Sequence, residues 1–283
     1  MNPEVTMYTF DTPQPVDLRV ELWQGEIYVH AEERDTTTVE LESLRGDAQE
    51  LIDHTRVEQR GAEVSVLMPK GKSSFFRNRG EVRATIRVPL RSNVKLESAS
   101  ADSDLHGELG NVRVASGSGD VRVEFGEDIE VRTGSGDVSI VTAAGRCDTK
   151  CGSGDLKVET VGGDADVVSG SGDVVLGHVA QSLKVKTGSG DIVIRDAGEA
   201  IDAMAGSGDL RVKRVDHGWL KAKTGSGDIQ IGVADGTAAY LDIMTVTGDV
   251  QSSLDASEGP SDGEQTVELS IQSGTGDVVL QRA

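Results

Sequence analysis

Ten regularly spaced aspartates, most of them in the motif Gly-Ser-Gly-Asp, are the most regular candidates for chemistry in the sequence. They are Asp104, Asp120, Asp137, Asp155, Asp173, Asp191, Asp209, Asp228, Asp249 and Asp277. Carboxylate oxygens are the ligands that Ca²⁺ prefers in proteins. If each repeat makes one turn of a coil, the sequence offers a ladder of Ca²⁺ ligands, formed by Asp120, Asp137, Asp155, Asp173, Asp191, Asp209 and Asp228.

The same motif also has a purely structural interpretation. Gly188 and Gly190 provide backbone angles that other residues avoid, and Asp191 accepts hydrogen bonds from turn amides. Repulsion between carboxylates stacked about 4.8 Å apart is about 0.9 kcal/mol per pair in water, whereas one charged hydrogen bond contributes about 1.5 to 3 kcal/mol. We therefore expect a bend with no cofactor, and keep Ca²⁺ binding as the alternative.

Cys147 and Cys151 form a CxxxC pair that invites a metal or redox interpretation. In the repeat register both are inward positions on one strand. Four residues of strand span about 13 Å, beyond the reach of a disulfide, which is about 7 Å between Cα atoms. No further cysteine or suitably spaced histidine completes a zinc set. We expect two buried thiols and no bound metal.

Two features could bind a partner. Trp219 and Tyr240 both lie nine residues before an aspartate of the repeat, which predicts that they stack at one corner of adjacent coils. Residues 69–79 carry four basic side chains and no acid, interrupted by Phe75 and Phe76. This segment is either a surface loop or a peripheral contact to a membrane or an acidic partner.

The elements that position these residues follow from the repeat. The spacing between aspartates is close to 18 residues, which is typical of a solenoid. Apolar residues alternate with polar ones before and after each Gly-Ser-Gly turn, as in Leu183, Val185 and Thr187 and then Ile192 and Ile194. The pattern predicts an all-β fold: a right-handed parallel β-helix, or β-solenoid, of about ten coils with a period of about 18 residues.

The two ends of the chain depart from this pattern. Residues 1–95 are rich in predicted strands but irregular, with a short helix expected within residues 46–54, and are interpreted as a cap of degenerate coils in which Glu26 replaces the aspartate. Residues 96–283 form the solenoid, and an acidic run at 255–264 is an inserted loop. The final coil, ending near Leu280, is expected to be open.

The composition argues against several classes of function. The net charge of -20 opposes binding to nucleic acid or to an anionic membrane by the overall field. No signal peptide or apolar run long enough to span a bilayer is present, so a cytoplasmic location is expected, with export by a non-classical route to the cell surface as the alternative. The carboxylates occupy equivalent positions, whereas catalysis needs one differentiated environment, so we assign no catalytic residue and no enzymatic activity.

The repeated Thr-Gly-Ser-Gly-Asp-Val-x-Ile unit follows the segment LRVELWQGEIYVHAEERDTTTVELES. Together they resemble the bacterial "putative-adhesin" family, a domain of unknown function with Gly-Ser-Gly-Asp β-solenoid repeats. The resemblance covers essentially the whole chain. It implies a β-solenoid and an adhesin-like label, and it provides no catalytic residues.

The leading expectation is a non-enzymatic scaffold for interaction or assembly. Its partner is another protein or a second copy of the chain, bound through the C-terminal coils between Asp249 and Leu280, where an open coil would expose strand edges. The alternatives are an adhesin-like protein that binds carbohydrate or a cell surface, and a Ca²⁺-binding protein like a β-roll.

Overall fold

The computed structural model describes residues 5–45, 48–69, 80–254 and 265–283, which form two compact units, Met1–Thr142 and Ala143–Ala283. Unit 1 contains β1 (Val5–Asp11), β2 (Asp17–Glu32), β3 (Thr36–Arg45), α1 (Ala48–Asp53), β4 (Arg56–Arg60), β5 (Glu63–Leu67), β6 (Glu81–Pro89), β7 (Asn93–Glu108), β8 (Val112–Ser118), β9 (Val121–Gly126), β10 (Ile129–Ser135) and β11 (Val138–Ala143), which ends at the boundary.

Unit 2 contains the remaining strands. They are β12 (Cys147–Ser153), β13 (Leu156–Val161), β14 (Ala165–Ser171), β15 (Val174–Val179), β16 (Ser182–Ser189), β17 (Ile192–Ala197), β18 (Ala200–Ser207), β19 (Leu210–Val215), β20 (Gly218–Ser226), β21 (Ile229–Val233), β22 (Thr237–Thr247), β23 (Val250–Ser252), β24 (Gln265–Thr275) and β25 (Val278–Arg282).

Each repeat contributes two consecutive strands, such as β16 and β17, which together form one coil. Each strand pairs in parallel with the equivalent strands of the neighbouring repeats. Ile192 lies opposite Val174 of the preceding repeat and Leu210 of the next, and all three are fully buried. The inward-facing apolar side chains of each coil therefore stack on the side chains at the equivalent positions of the neighbouring coils, as the alternation predicted. The predicted all-β solenoid is confirmed, and the described strands from β7 onward form ten coils.

Unit 1 adds antiparallel strands to its coils. β2 and β7 each form a whole coil, and β2 pairs with β7 on one side and with β5 and β6 on the other. Three pairs of strands are antiparallel: β3 with β6, β1 with β3, and β4 with β5. The helix predicted within residues 46–54 is confirmed as α1. The domain boundary predicted at residue 95 stays a prediction, and the acidic run 255–264 lies outside the described residues.

The first aspartate of the repeat differs from the prediction. Asp102, and not Asp104, occupies the corner position, because Asp104 pairs with Arg122 and the amide of Asp120 bonds to Asp102. Glu26 lies opposite Asp102, as its predicted role requires. The coil that contains Asp102 has alanines in place of the two corner glycines, so the motif that marks the corner elsewhere is missing from its sequence.

The coils at the end of unit 2 do not stack in chain order. β24 pairs with β20 on one side and with β22 on the other, and β25 lies in the same way between β21 and β23. The expectation of an open coil near Leu280 is therefore wrong, because β24 and β25 are covered on both sides. The outermost coil of unit 2 consists of β22 and β23.

Close approach between coils explains the corner glycines. Gly190 has a φ of 136°, and a Cβ atom on it would lie 2.2 Å from the carbonyl oxygen of Gly172. A Cβ on Gly188 would lie 2.5 Å from the carbonyl oxygen of Gly170. Both distances are far below van der Waals contact, so these positions exclude a side chain.

Replacing Gly190 with alanine is expected to lower the free energy of unfolding by about 3 kcal/mol or more, because strain at positive φ adds to the clash with Gly172. The matched control is Gly236→Ala, since Gly236 also has a positive φ of 75° but a Cβ there meets no atom within 4 Å. The control should lose only about 1 to 2 kcal/mol. Urea denaturation followed by circular dichroism measures both, and equal losses would refute the crowding argument.

Candidate functional site

Each corner aspartate links its coil to both neighbours. The backbone N–H of Asp191 donates to Oδ1 of Asp173 at 2.8 Å, and Oδ1 of Asp191 accepts the backbone N–H of Asp209 at 2.8 Å. The main-chain carbonyl of Asp191 accepts the N–H of Val174, also at 2.8 Å. One residue thus satisfies backbone donors on both neighbouring coils, whereas the structural interpretation predicted bonds from amides within its own turn.

The same bond recurs along each unit at 2.8 to 3.0 Å between the amide nitrogen and Oδ1. In the stacking order of the coils, the donor and acceptor pairs include Asp120 to Asp102, Asp137 to Asp120, Asp173 to Asp155, Asp191 to Asp173, Asp209 to Asp191, Asp228 to Asp209, Asp277 to Asp228 and Asp249 to Asp277. The last two pairs record the exchanged order of the final coils.

The hydrogen bonds of the ladder reduce the number of carboxylate oxygens available to a Ca²⁺ ion. One oxygen of each of these acceptor carboxylates is already engaged by a backbone N–H. Within the described ranges, no three or more His, Cys, Asp or Glu side chains are grouped so that they could hold a metal ion. Ca²⁺ binding by the ladder stays a prediction, for which calorimetry is the test.

Cys147 and Cys151 are buried thiols that are not joined in a disulfide, as predicted. Burial raises the pKa of the Cys147 thiol to about 11, because the surrounding apolar core disfavours the thiolate. The Sγ atom of Cys147 lies 3.5 Å from the hydroxyl oxygen of Thr149. Such a thiol is neutral at physiological pH and packs as part of the core.

Trp219 and Tyr240 are both exposed, but they do not lie on adjacent coils. Trp219 is level with Glu268 of β24, and Glu268 is level with Tyr240. The predicted stack is therefore wrong, and the reason is the coil inserted between them. Trp219 instead lines a groove on the side of unit 2, together with residues of β14, β16 and β18 and the residues that immediately precede β12 and β14. Phe75 and Phe76, and residues 70–79 as a whole, lie outside the described residues.

The outermost coil of unit 2 exposes apolar residues that the repeat pattern predicted to be buried. Leu241 lies opposite the fully buried Leu269, yet it is 45% exposed. Val250 lies opposite the fully buried Val278 and is 48% exposed. At this coil, the side chains that face the core are therefore exposed, because no further coil of the described residues covers them.

A histidine pair in unit 1 was not predicted. The rings of His30 and His106 stack with centroids 5.3 Å apart, and Nδ1 of His106 lies 3.4 Å from a carboxylate oxygen of Glu124. Burial, followed by the neighbouring His106, lowers the pKa of His30. The signal was present in the sequence, because both histidines lie four residues after a corner acid, Glu26 or Asp102. The repeat pattern hides this signal, because it places the corner at Asp104 and not at Asp102.

Membrane insertion by a helix has no support in the parts of the chain that the structure describes. None of their helices has the length and apolar character needed to cross a bilayer.

Comparisons with known proteins identify relatives of this architecture. The model of a family described as Toastrack DUF4097 matches residues 13–281. A solved structure named "putative adhesin" from Bacteroides fragilis is 15% identical, with 98% of this chain and 97% of that chain covered and a TM-score of 0.47. A search of curated protein sequences finds no match.

Two further solved structures are similar over nearly their whole length. One, named "putative lipid binding protein", from Parabacteroides distasonis, is 15% identical, with 98% of this chain and 96% of that chain covered and a TM-score of 0.48. Another, named "putative adhesin", from Parabacteroides merdae, is 11% identical, with 100% and 98% covered and a TM-score of 0.42. At these identities and scores the three structures carry no functional argument.

Replacing Asp191 with alanine is expected to lower the free energy of unfolding by about 1 to 2 kcal/mol, because the N–H of Asp209 loses its acceptor. Asp191→Asn should lose less, since the amide oxygen still accepts this bond and the repulsion along the ladder falls. Urea denaturation measures both changes.

The matched control is Asp196→Ala, which removes a half-buried carboxylate of the same repeat that lies 3.4 Å from His178 and outside the ladder. If Asp191→Ala is as mild as this control, the corner bond does not stabilise the coils. If millimolar Ca²⁺ raises the melting temperature of the wild type but not of Asp191→Ala, the ladder binds ions and the purely structural interpretation is wrong.

Proposed function

We propose, from the premise that the chain belongs to the Toastrack DUF4097 family, that it is a non-enzymatic scaffold that self-associates through the outermost coil of unit 2. The partner is a second copy of the chain, paired edge to edge along β22 and β23. The observation that carries the proposal is the exposed end of the apolar core at this coil. A cytoplasmic location remains part of the proposal.

The edge of this coil supports strand pairing. An interior strand such as β16 pairs with β14 and β18, whereas β22 pairs with β24 and has no second partner strand among residues 5–45, 48–69, 80–254 and 265–283. A strand edge presents unpaired N–H and C=O groups, which proteins normally cover. Two such edges complement each other when related by a two-fold axis, because each offers both donors and acceptors.

The apolar surface of the coil supports the same conclusion. Among the described residues, five of the nine exposed large apolar side chains lie in this coil: Tyr240, Leu241, Met244, Val246 and Val250. Full burial of a side chain of this size stabilises by about 1.5 to 3 kcal/mol, so covering the half-exposed Leu241 and Val250 contributes about 1 kcal/mol each. Clustered exposure of this kind is typical of interaction surfaces.

Val246 marks this coil as different from the others. It lies level with Gly274, between the register pairs that Thr245 and Thr247 form with β24, and is 78% exposed. Most other coils have glycine at this position. The outermost coil therefore exposes apolar side chains on its outward face as well as at the end of the core.

The charge of the coil favours a second copy over a charged partner. Residues 237–252 contain two acids, Asp242 and Asp249, and no lysine or arginine, although the chain as a whole has a net charge of -20. Two such coils can face each other with little direct repulsion, while a strongly basic partner would find few acids there. Repulsion between the rest of the two chains is screened by salt, so association should strengthen as the salt concentration rises.

The test is sedimentation velocity of the whole chain from micromolar to millimolar concentration. We expect the wild type to form dimers and the double variant Leu241→Lys/Val250→Lys to stay monomeric. In the monomer the lysine amines can reach solvent, whereas under a second coil they would be buried. The substitutions also reduce the net charge, which by itself would favour association, so loss of the dimer cannot be attributed to repulsion.

The matched control is Val141→Lys, which changes an apolar residue of β11 that is 43% exposed and lies outside the outermost coil. It should associate like the wild type, and circular dichroism should show that all the variants are folded. A wild type that stays monomeric at the highest concentration, or a double variant that associates as strongly as the control, would refute the proposal.

A further inference from the structure

The groove beside Trp219 is a second feature of unit 2, separate from the outermost coil. It has a volume of about 360 Å³ and is lined by outward residues of five successive coils, including Arg146, Asp166, Lys184, Asp202 and Trp219. This volume lies within the range of binding pockets for small ligands. Arg146 and Trp219 are four coils apart, which corresponds to about 19 Å at a spacing of about 4.8 Å.

The register explains why the groove exists. Trp219 lies level with Ala200, and Ala200 lies level with Ser182. Two small residues thus follow the large indole along one row, which leaves open space beside it. The indole is 45% exposed. Its nitrogen has no hydrogen-bond partner in the described part of the chain, whereas the other tryptophan, Trp23, donates its indole N–H to the carbonyl oxygen of Met68.

The wall of the groove alternates between acid and base. Asp166 lies level with Lys184, Lys184 with Asp202, and Asp202 with Lys221. Within the described ranges, neither Lys184 nor Lys221 lies within 4.0 Å of a carboxylate oxygen. Donors and acceptors therefore alternate along the groove without saturating one another.

The lining also discriminates between classes of ligand. Asp164, Asp166 and Asp202 are opposed by Arg146 and Lys184, so an anion or a cation meets groups of its own sign along the groove. A hydroxyl group both donates and accepts hydrogen bonds, and can therefore bond to either kind of side chain. A tryptophan surface provides an apolar platform with a polar edge. The matching ligand is neutral, rich in hydroxyl groups, and has apolar C–H faces that can lie on the indole.

We propose that this groove binds a neutral carbohydrate chain, with Trp219 as the stacking platform and the alternating acids and bases as partners of the hydroxyl groups. An extended chain fits better than a single sugar, because the groove is open and crosses five coils. Binding at this face leaves β22 and β23 free, so it does not depend on self-association.

The test is native gel electrophoresis of the whole chain through gels that contain a soluble β-glucan, xylan, galactomannan or dextran, with polygalacturonate as the anionic comparison. At least one neutral polysaccharide should retard the wild type. Trp219→Ala should weaken that binding at least tenfold, and Trp219→Phe should retain part of it. The fluorescence of Trp219 should also be protected from iodide quenching by the polysaccharide that binds.

The matched control is Met7→Ala, which removes a large apolar side chain that is 59% exposed and lies in β1, outside both the groove and the outermost coil of unit 2. It should bind like the wild type. The proposal is overturned if no neutral polysaccharide retards the wild type, if polygalacturonate alone does so, or if Trp219→Ala binds as well as Met7→Ala. None of these outcomes bears on self-association, which is measured without carbohydrate.

Discussion

The close approach of successive coils at their corners is the constraint on which the rest of each unit depends. At Gly190 the neighbouring backbone leaves no space for a Cβ atom, and one residue later Asp191 uses its carboxylate to accept an N–H of the next coil. The two features require each other: the glycine lets the coils come near enough, and the aspartate satisfies a backbone donor there. Because each coil bends at this corner, the motif recurs in most coils, and the coil of Asp102 keeps the aspartate although alanines replace its two glycines. Its repetition is thus explained without a ligand.

Much of the fold could be predicted because the repeat is a local pattern. The alternation around Val185 and Ile192 determines which side chains face inward, and the period determines what they stack on. The order of the last coils could not be predicted in this way. The segments that contain Asp249 and Asp277 both end their corner in Gly-Asp, so the repeat pattern alone does not say which of them follows the Asp228 coil. Only the pairing between distant strands distinguishes the two orders.

The two candidate sites were less predictable than the fold, for related reasons. Trp219 was recognised as a candidate, but the groove beside it is formed by residues from five coils, and the small size of Ala200 and Ser182 matters as much as the indole. The exposed edge was expected, but it was assigned to the wrong coil because exposure of Leu241 depends on which coil lies outermost. In a stack of coils, the sequence of one coil determines its own backbone shape. Which of its side chains are exposed to solvent depends on the coils that pack against it.

The exchanged order of the final coils constrains how unit 2 can fold during synthesis. Residues 237–252 leave the ribosome before residues 265–282, and until then the β20 and β21 edge is open to them. If β22 docks there first, it must be displaced before β24 and β25 can take their positions between the two coils. Assembly of this end therefore cannot be a simple stepwise addition of coils in chain order, as repeat proteins otherwise permit. The native arrangement therefore requires either that β22 and β23 dock late or that they are displaced after docking.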